Sequence, residues 1–402
     1  MKKIYKQNSE VANNDIKIIR ITTVPISLKI LLKGQHHFMS KNGFRVIGVS
    51  SNGKELDEVA RDEGISVIPI EMSRKITPLK DLRSLWKTYL LFRKEKPAIV
   101  HSHTPKAGII GMLAAKLARV PIRLHTVAGM PLMEITGGKR KLLNYIERLT
   151  YSAATRVYPN SKGLLEFILS NKFTSLNKLK VIGEGSSNGI NTSFFSRNHI
   201  SNEQQNSLRN ELGIFDEDFV FIFVGRLVGD KGINELVKAF CELNSPFSKL
   251  LLVGPFENEL DPLNKETLKS IDENPNILTV GFQQDVRPYF SISNVLVFPS
   301  YREGFPNVVM QAGAMELPSV VSNINGCNEI IIEGENGLII PVKNVEAIKQ
   351  AMQGLISNRE LYTKMKINAR KLINIRYEQQ VIWNSLLNEY RSLLKEKELS
   401  NV

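Results

Sequence analysis

Short apolar runs, each cut off by Gly, Pro, Asn or a polar turn, recur along this chain, and stretches of helical period follow many of them. In the first half the runs are IKIIRI (16–21), RVIGV (45–49), SVIPI (66–70), AIV (98–100), IRL (122–124), RVY (156–158) and KLKVI (178–182). The second half repeats the habit with FVFIFV (219–224), LLLV (250–253), ILTV (277–280), VLVF (295–298), PSVV (318–321) and GLII (337–340). Strands this short and this uniformly apolar are buried on both faces, and parallel sheets bury strands that way. Helical stretches between them, at 27–44, 79–94, 109–117, 139–155 and 260–271, supply the crossovers a parallel sheet requires. Helices at 345–356 and 377–394 close the chain. The spacing predicts two doubly wound α/β domains facing a central cleft. One covers 1–200, ending after SSNGIN (186–191); a polar linker covers 201–216; the other covers 217–402 with the closing helices.

Charge separates the halves. Residues 1–200 hold 33 Lys+Arg against 14 Asp+Glu, a net of +19, while the remainder is −6, within a total of +13. An excess of this size concerns partners rather than fold. Nucleic acid, an anionic membrane and a phosphorylated substrate all fit a basic surface. No zinc-finger spacing, aromatic RNP pattern or dense Arg run supports nucleic acid. Basic candidates for an anion or membrane contact are the Trp86 helix, with Leu82, Leu85, Tyr89 and Phe92 on or near one face, and the helix start at Lys139, Arg140 and Lys141. Three cations there oppose the helix dipole, and a solvated face is the simpler reading of that start; ordinary surface or core is the simpler reading of the two candidates together.

The opening MKKIYKQNSEVANND reads as a polar tail without the apolar core of a signal peptide. No run reaches the roughly 18 apolar residues that span a bilayer. Two cysteines, Cys241 and Cys327, make no disulfide framework and point to a reducing compartment. A cytoplasmic enzyme, free or peripheral at a membrane, is the expectation. No G-x-G-x-x-G follows the first strand, which argues against a dinucleotide oxidoreductase.

Chemistry concentrates in two loops of the second half. VLVF delivers SYREGFPNVVMQAGAM (300–315), placing Glu303, Gly304, Phe305, Pro306 and Asn307 where open α/β sheets bind ligands. Pro306 suits a first helical turn. FVFIFV delivers GRLVGDKG, with Arg226 and Lys231 among Gly225, Gly229 and Gly232. A parallel sheet can bring all three charges to one edge: an arginine fork, a lysine point charge and a carboxylate, with glycines that let backbone approach a diphosphate. In the first half, Gly34 marks a point of close approach, or else a flexible glycine inside a helix.

These motifs in this order, GRLVGDKG, SYREGFPN, NGIN, SHTPKAG, HTVAGMPL and INGCNEII, resemble glycosyltransferase family 4, of GT-B fold, and most of all the bacterial transferases of capsule, exopolysaccharide and O-antigen assembly. The resemblance implies retaining transfer of a hexose or N-acetylhexosamine from a UDP-sugar, with no cofactor and no required metal. It also implies a polyprenyl-diphosphate-linked saccharide acceptor and a peripheral position at the inner face of the cell membrane. Arg226 and Lys231 would hold the donor diphosphate, with Glu303 beside the sugar or its phosphate. Gly304, Phe305, Pro306, Asn307 and Gly34 count among the donor contacts, and His125 would hydrogen-bond the donor sugar. His101 and His103 are as readily packing residues. The family usually carries a second glutamate where Gln311 stands; an amide there accepts from ribose hydroxyls more weakly than a carboxylate. A nucleotide-sugar 2-epimerase of the same fold, or a non-catalytic nucleotide-sugar or nucleic-acid binding protein, are the alternatives.

Overall fold

The computed structural model describes residues 16–129, 137–257, 259 and 261–399. The expected tail at 1–15, the last three residues of HTVAGMPL (130–132) and the expected helix start at Leu260 lie outside them.

Two compact units emerge. The first comprises residues 1–188 and 382–402, the second residues 189–381. This differs from the expected division in two ways: residues 189–200 and the linker 201–216 belong with the second unit, and the end of the chain belongs with the first. The linker's one regular element, the helix Asn202–Glu211, starts in a capping box in which Ser201 and Gln204 satisfy each other's backbone N–H.

Each unit is built on a six-stranded parallel sheet. In the first, β1 (Ile16–Ile21), β2 (Phe44–Ser50), β3 (Ser66–Pro69), β4 (Ile99–Ser102), β5 (Ile122–Val127) and β6 (Arg156–Pro159) lie in the order β3-β2-β1-β4-β5-β6. In the second, β7 (Phe219–Val224), β8 (Ser248–Val253), β9 (Ile277–Thr279), β10 (Val295–Phe298), β11 (Ser319–Ser322) and β12 (Gly337–Ile340) lie in the order β12-β11-β10-β7-β8-β9. Read from either unit's first strand, the two orders are the same. The connections reverse direction between β1 and β4, and again between β7 and β10, so both sheets have a switch point where a crevice opens at the strand ends.

Alternation along β1 sends Ile19 and Ile21 into one core of the first unit and Ile18 into another. Leu386, Leu387, Tyr390 and Leu393 of the helix Gln379–Leu399 complete the second of these, which explains why the chain's end joins the first unit. A single large core fills the second unit.

Several expectations are corrected. The stretch 27–44 is two helices, Pro25–Leu31 and Gln35–Lys41, broken at Gly34 with φ +79°. Residues 178–182 form no strand among the described elements: Leu179 makes one bridge to Val157, and the chain then turns away through the left-handed Gly183 and Gly185. Pro306 is the residue before the helix Asn307–Ala314, not within its first turn. Among the helices not anticipated are Lys54–Glu63, Lys162–Ser170, Ile233–Leu243 and Arg359–Tyr377. Glu378, with φ −56° and ψ 140°, separates Arg359–Tyr377 from Gln379–Leu399, so 377–394 is the second of two helices.

Candidate active site

β7 and β10 are neighbours, with Phe221 opposite Val295 and Ile222 opposite Leu296, so the loops leaving their carboxyl ends are neighbours too. The Asp230-Lys231 step of one loop meets the Arg302-Glu303 step of the other. Lys231 Nζ lies 2.5 Å from Glu303 Oε1, and the two side chains are 17% and 18% exposed. Ser300 Oγ donates to the same carboxylate oxygen at 3.1 Å. Beside this inner pair stands an outer one, in which Arg302 donates to Asp230 Oδ2 from Nε at 3.1 Å and from Nη2 at 2.6 Å.

Asp230 ties three loops together. Its N–H donates to Asp261 Oδ2 at 2.6 Å, and its carbonyl accepts from Tyr301 N–H at 2.9 Å. The Tyr301 hydroxyl donates to Glu235 Oε1 at 2.8 Å, and burial together with that carboxylate raises its pKa above the ordinary phenol range. Gly232 shows why a glycine is needed here. Its φ is +72°, and a Cβ would come within 2.2 Å of the Pro299 carbonyl oxygen. The space at Gly232 therefore serves packing of the two loops against each other.

Glu303 is fixed through its backbone as well: Asn325 Nδ2 donates to the carbonyls of Glu303 and Gly304, at 3.3 and 2.5 Å. Phe305 meets the Tyr377 ring edge-on at 5.4 Å. Pro306 is buried, and no side chain caps the helix that opens at Asn307. Its first N–H groups therefore offer donors to an anion. One turn further on, Gln311 is half-buried, and its amide has no hydrogen-bond partner among the described residues. Cys327 is buried next to the inner pair; burial raises its thiol pKa, with the Glu303 charge adding and Lys231 opposing.

Arg226 stands apart. Its guanidinium pairs with Glu257, in the loop after β8, and its side chain is 51% exposed. Of the three expected charges the structure pairs two, and it supplies partners that the sequence reading passed over: Asp230, Arg302, Asp261, Glu257 and Asn325. Their signal was present, since Asp230 and Arg302 are the residues immediately before Lys231 and Glu303.

In the first unit His125 lies within β5, buried. Its Nδ1 is 2.8 Å from Ser102 Oγ, and a Cβ on Gly108 would come within 2.5 Å of its ring. Burial lowers its pKa to about 4, so the imidazole is neutral. The His101 and His103 rings pack tilted, with centroids 4.1 Å apart; His101 Nδ1 meets the Tyr390 hydroxyl at 2.6 Å and Nε2 meets Thr126 Oγ1 at 2.7 Å. Both are packed inside. Gly34 donates its N–H to Glu63 at 2.5 Å, and a Cβ there would lie 2.6 Å from the Trp383 ring. The close approach at Gly34 is to an indole of its own unit. Of the basic helix start, Arg140 is turned into packing on Asn144 and Phe167, while Lys139 and Lys141 are exposed.

Comparison with known proteins now decides the family. Residues 20–161 match the description "Glycosyl transferase 4-like" and residues 204–372 match "Glycosyl transferases group 1". The capsular polysaccharide biosynthesis glycosyltransferase CapM of Staphylococcus aureus is 36% identical over 384 residues, covering 95% of this chain and 98% of CapM. The chain is a family 4 glycosyltransferase. An Escherichia coli transferase, named for moving galactose from UDP-Gal to α-D-GlcNAc-diphosphoundecaprenol, is 30% identical over 310 residues, covering 75% of this chain and 78% of its own. Among solved structures HepE of Anabaena superposes with a TM-score of 0.79 at 17% identity, covering 94% of this chain and all of HepE, and fixes the GT-B fold. In this glycosyltransferase the Lys231–Glu303 pair stands at the switch point of the second sheet.

Proposed function

We propose that this glycosyltransferase moves a hexose or N-acetylhexosamine, with retention, from a UDP-sugar to a saccharide carried on a polyprenyl diphosphate during surface-polysaccharide assembly. The Lys231–Glu303 pair carries the reading, because it sets a half-buried cation where the sheet's crevice and an uncapped helix both favour an anion. The names of the relatives support the donor nucleotide, the lipid-linked acceptor and the role in capsule-type polysaccharides.

In the reaction the bond from sugar C1 to the diphosphate oxygen breaks and a bond from C1 to the acceptor hydroxyl oxygen forms. Negative charge develops on the departing diphosphate, and Lys231, with Arg226 released from Glu257, stabilises it electrostatically. Retention requires the acceptor oxygen to arrive on the face the diphosphate leaves, so the departing phosphate oxygen takes the acceptor proton. Lys231 and Arg226 between them supply positive charge for the diphosphate, which fits transfer without a metal or cofactor. Glu303 orients Lys231 and faces the sugar. Gln311, without a side-chain hydrogen-bond partner among the described residues, offers a neutral amide to the ribose. His125 is neutral, so its contribution is a hydrogen bond to the sugar rather than a charge. The proposed lipid-linked acceptor supports a position at the inner face of the cell membrane, and the basic charge of the first unit supports peripheral contact with anionic lipid.

The test is transfer from UDP-sugars to a polyprenyl-diphosphate-linked saccharide, with and without EDTA, reading the new linkage by NMR. An α linkage from an α-linked donor, unaffected by EDTA, is the expected product. An inverted linkage, an EDTA-sensitive rate or sugar epimerised without acceptor would refute the reading.

A further inference from the structure

The helix Pro78–Glu95 is apolar on two sides: Phe92 is buried, and Leu85, Tyr89 and Leu91 pack half-buried against the core. Its buried positions include Ser84 and Thr88, whose hydroxyls are returned to the backbone, Ser84 to the carbonyls of Glu71 and Lys80 and Thr88 to that of Ser84. Its solvent side carries Leu79, Leu82, Trp86 and Leu90, which are 86, 64, 60 and 48% exposed. At 3.6 residues per turn these four fall within an arc of about 80° and form a stripe about 16 Å long. The opposite side packs on the helix Pro105–Leu117. A lone exposed leucine needs no explanation, but an ordered stripe of large apolar side chains, on the side of the helix turned away from the core, marks a surface meant to be covered.

Charge decides what covers it. Lys80, Arg83, Lys87, Arg93 and Lys94 are all exposed along the same helix, and none has an ion-pair partner among the described residues. The helix's two acids are both engaged, Asp81 with Lys106 and Glu95 with Lys17. A second copy of the chain would bring a like-charged rim against this one. An anionic bilayer meets both features, taking the leucines and indole into its interface and the cations among its headgroups.

We infer that this stripe is the membrane-docking surface of the enzyme, lying along an anionic bilayer with Leu79, Leu82, Trp86 and Leu90 inserted at the acyl boundary. The inference rests on the lipid-linked acceptor proposed above and assigns the peripheral contact to one face of one helix.

The experiment is co-sedimentation of the full chain with vesicles of phosphatidylcholine alone and with phosphatidylglycerol added. Binding to the anionic vesicles is expected to exceed binding to neutral ones by about tenfold or more, and to weaken at high salt. The double variant Leu82→Ser/Trp86→Ser should lower that binding by about 30-fold. An independent variant, Arg83→Gln/Lys87→Gln, should lower it by about 30-fold and reduce the preference for anionic lipid. Trp86 emission should move to the blue on anionic vesicles. With a short-chain, water-soluble diphosphate acceptor, the serine variant should turn over at the wild-type rate, while its KM for acceptor embedded in vesicles rises. Equal vesicle binding by wild type and both variants would overturn the inference. So would a wild-type dimer that the serine variant dissolves. Absence of turnover on either acceptor, with the vesicle results as expected, would refute the transferase chemistry and still support the surface.

Discussion

The two units share one strand order and differ in the charge they carry. At the edge of the second sheet each cation meets a carboxylate across a loop, Lys231 with Glu303, Arg302 with Asp230 and Arg226 with Glu257. The first unit has net charge +18 against −5 for the second, and it leaves cations unpaired outside and polar groups unpaired inside. Arg20 is fully buried; among the described residues its guanidinium has one hydrogen-bond partner, the Tyr390 hydroxyl at 3.0 Å, and the nitrogens of the buried His103 ring have none. One scaffold thus carries two kinds of edge. Paired cations suit a small anionic ligand that displaces a carboxylate, whereas unpaired outward cations suit an extended anionic surface.

The comparison breaks most visibly at Lys231. Lys231→Met should lower kcat/KM by about 10² to 10³, because the more exposed Arg226 alone is left to stabilise the developing diphosphate. Lys87→Gln should leave turnover on a water-soluble acceptor unchanged. Steady-state kinetics on the two variants check this.

Acid should act on the first unit before the second. His125 in the folded chain has a pKa of about 4, against about 6.5 unfolded, so its contribution to stability is complete above the unfolded value. As pH falls from there toward 4 the unfolded chain binds the proton more readily, and about 3 kcal/mol is lost from this residue. Burial also lowers His36, His101 and His103 well below the usual range, with the Arg20 charge adding to each. Urea midpoints measured from pH 7 down to 4, followed by hydrogen exchange in each unit, should show the first unit opening first.

Gly34→Ala should destabilise the first unit by about 2 kcal/mol, since its backbone is left-handed and the new methyl meets Trp383. Urea unfolding followed by Trp383 emission reads it. Asp230→Asn, which weakens the half-exposed outer pair and leaves the inner one, should raise the donor KM by only about two- to fivefold.

Much of the scaffold was legible because short apolar strands have few other uses. All six strands of the second sheet and six of the seven expected in the first were found. The failure at 178–182 is instructive: KLKVI has the composition of a strand, but the next residues, GEG, turn the chain after one bridge, and pairing is a property of the neighbour as well as the segment. The helix Arg359–Tyr377 was missed although Met365, Ala369, Ile373 and Tyr377 repeat every fourth residue and Asn358 caps its start through Leu361 N–H. Trp86 shows the limit of periodicity. Of the expected face, Leu85, Tyr89 and Phe92 turn to the core while Leu82 and Trp86 are exposed, and the spacing alone does not tell the two sides apart. At the site, Lys231 and Glu303 were legible from loop position after two strands, and their contact followed from the pairing of β7 with β10. Gly34 was marked for close approach, but its neighbour, Trp383, lies 349 residues away in sequence and no local pattern names it.

The central claim is that Lys231 holds the donor diphosphate, and calorimetric titration of UDP into wild type and Lys231→Met, both in EDTA, tests it most directly. The account predicts one UDP bound per chain in wild type and an affinity about tenfold or more lower in the variant, the loss of one charge-assisted contact. Equal affinity in the two proteins would contradict it.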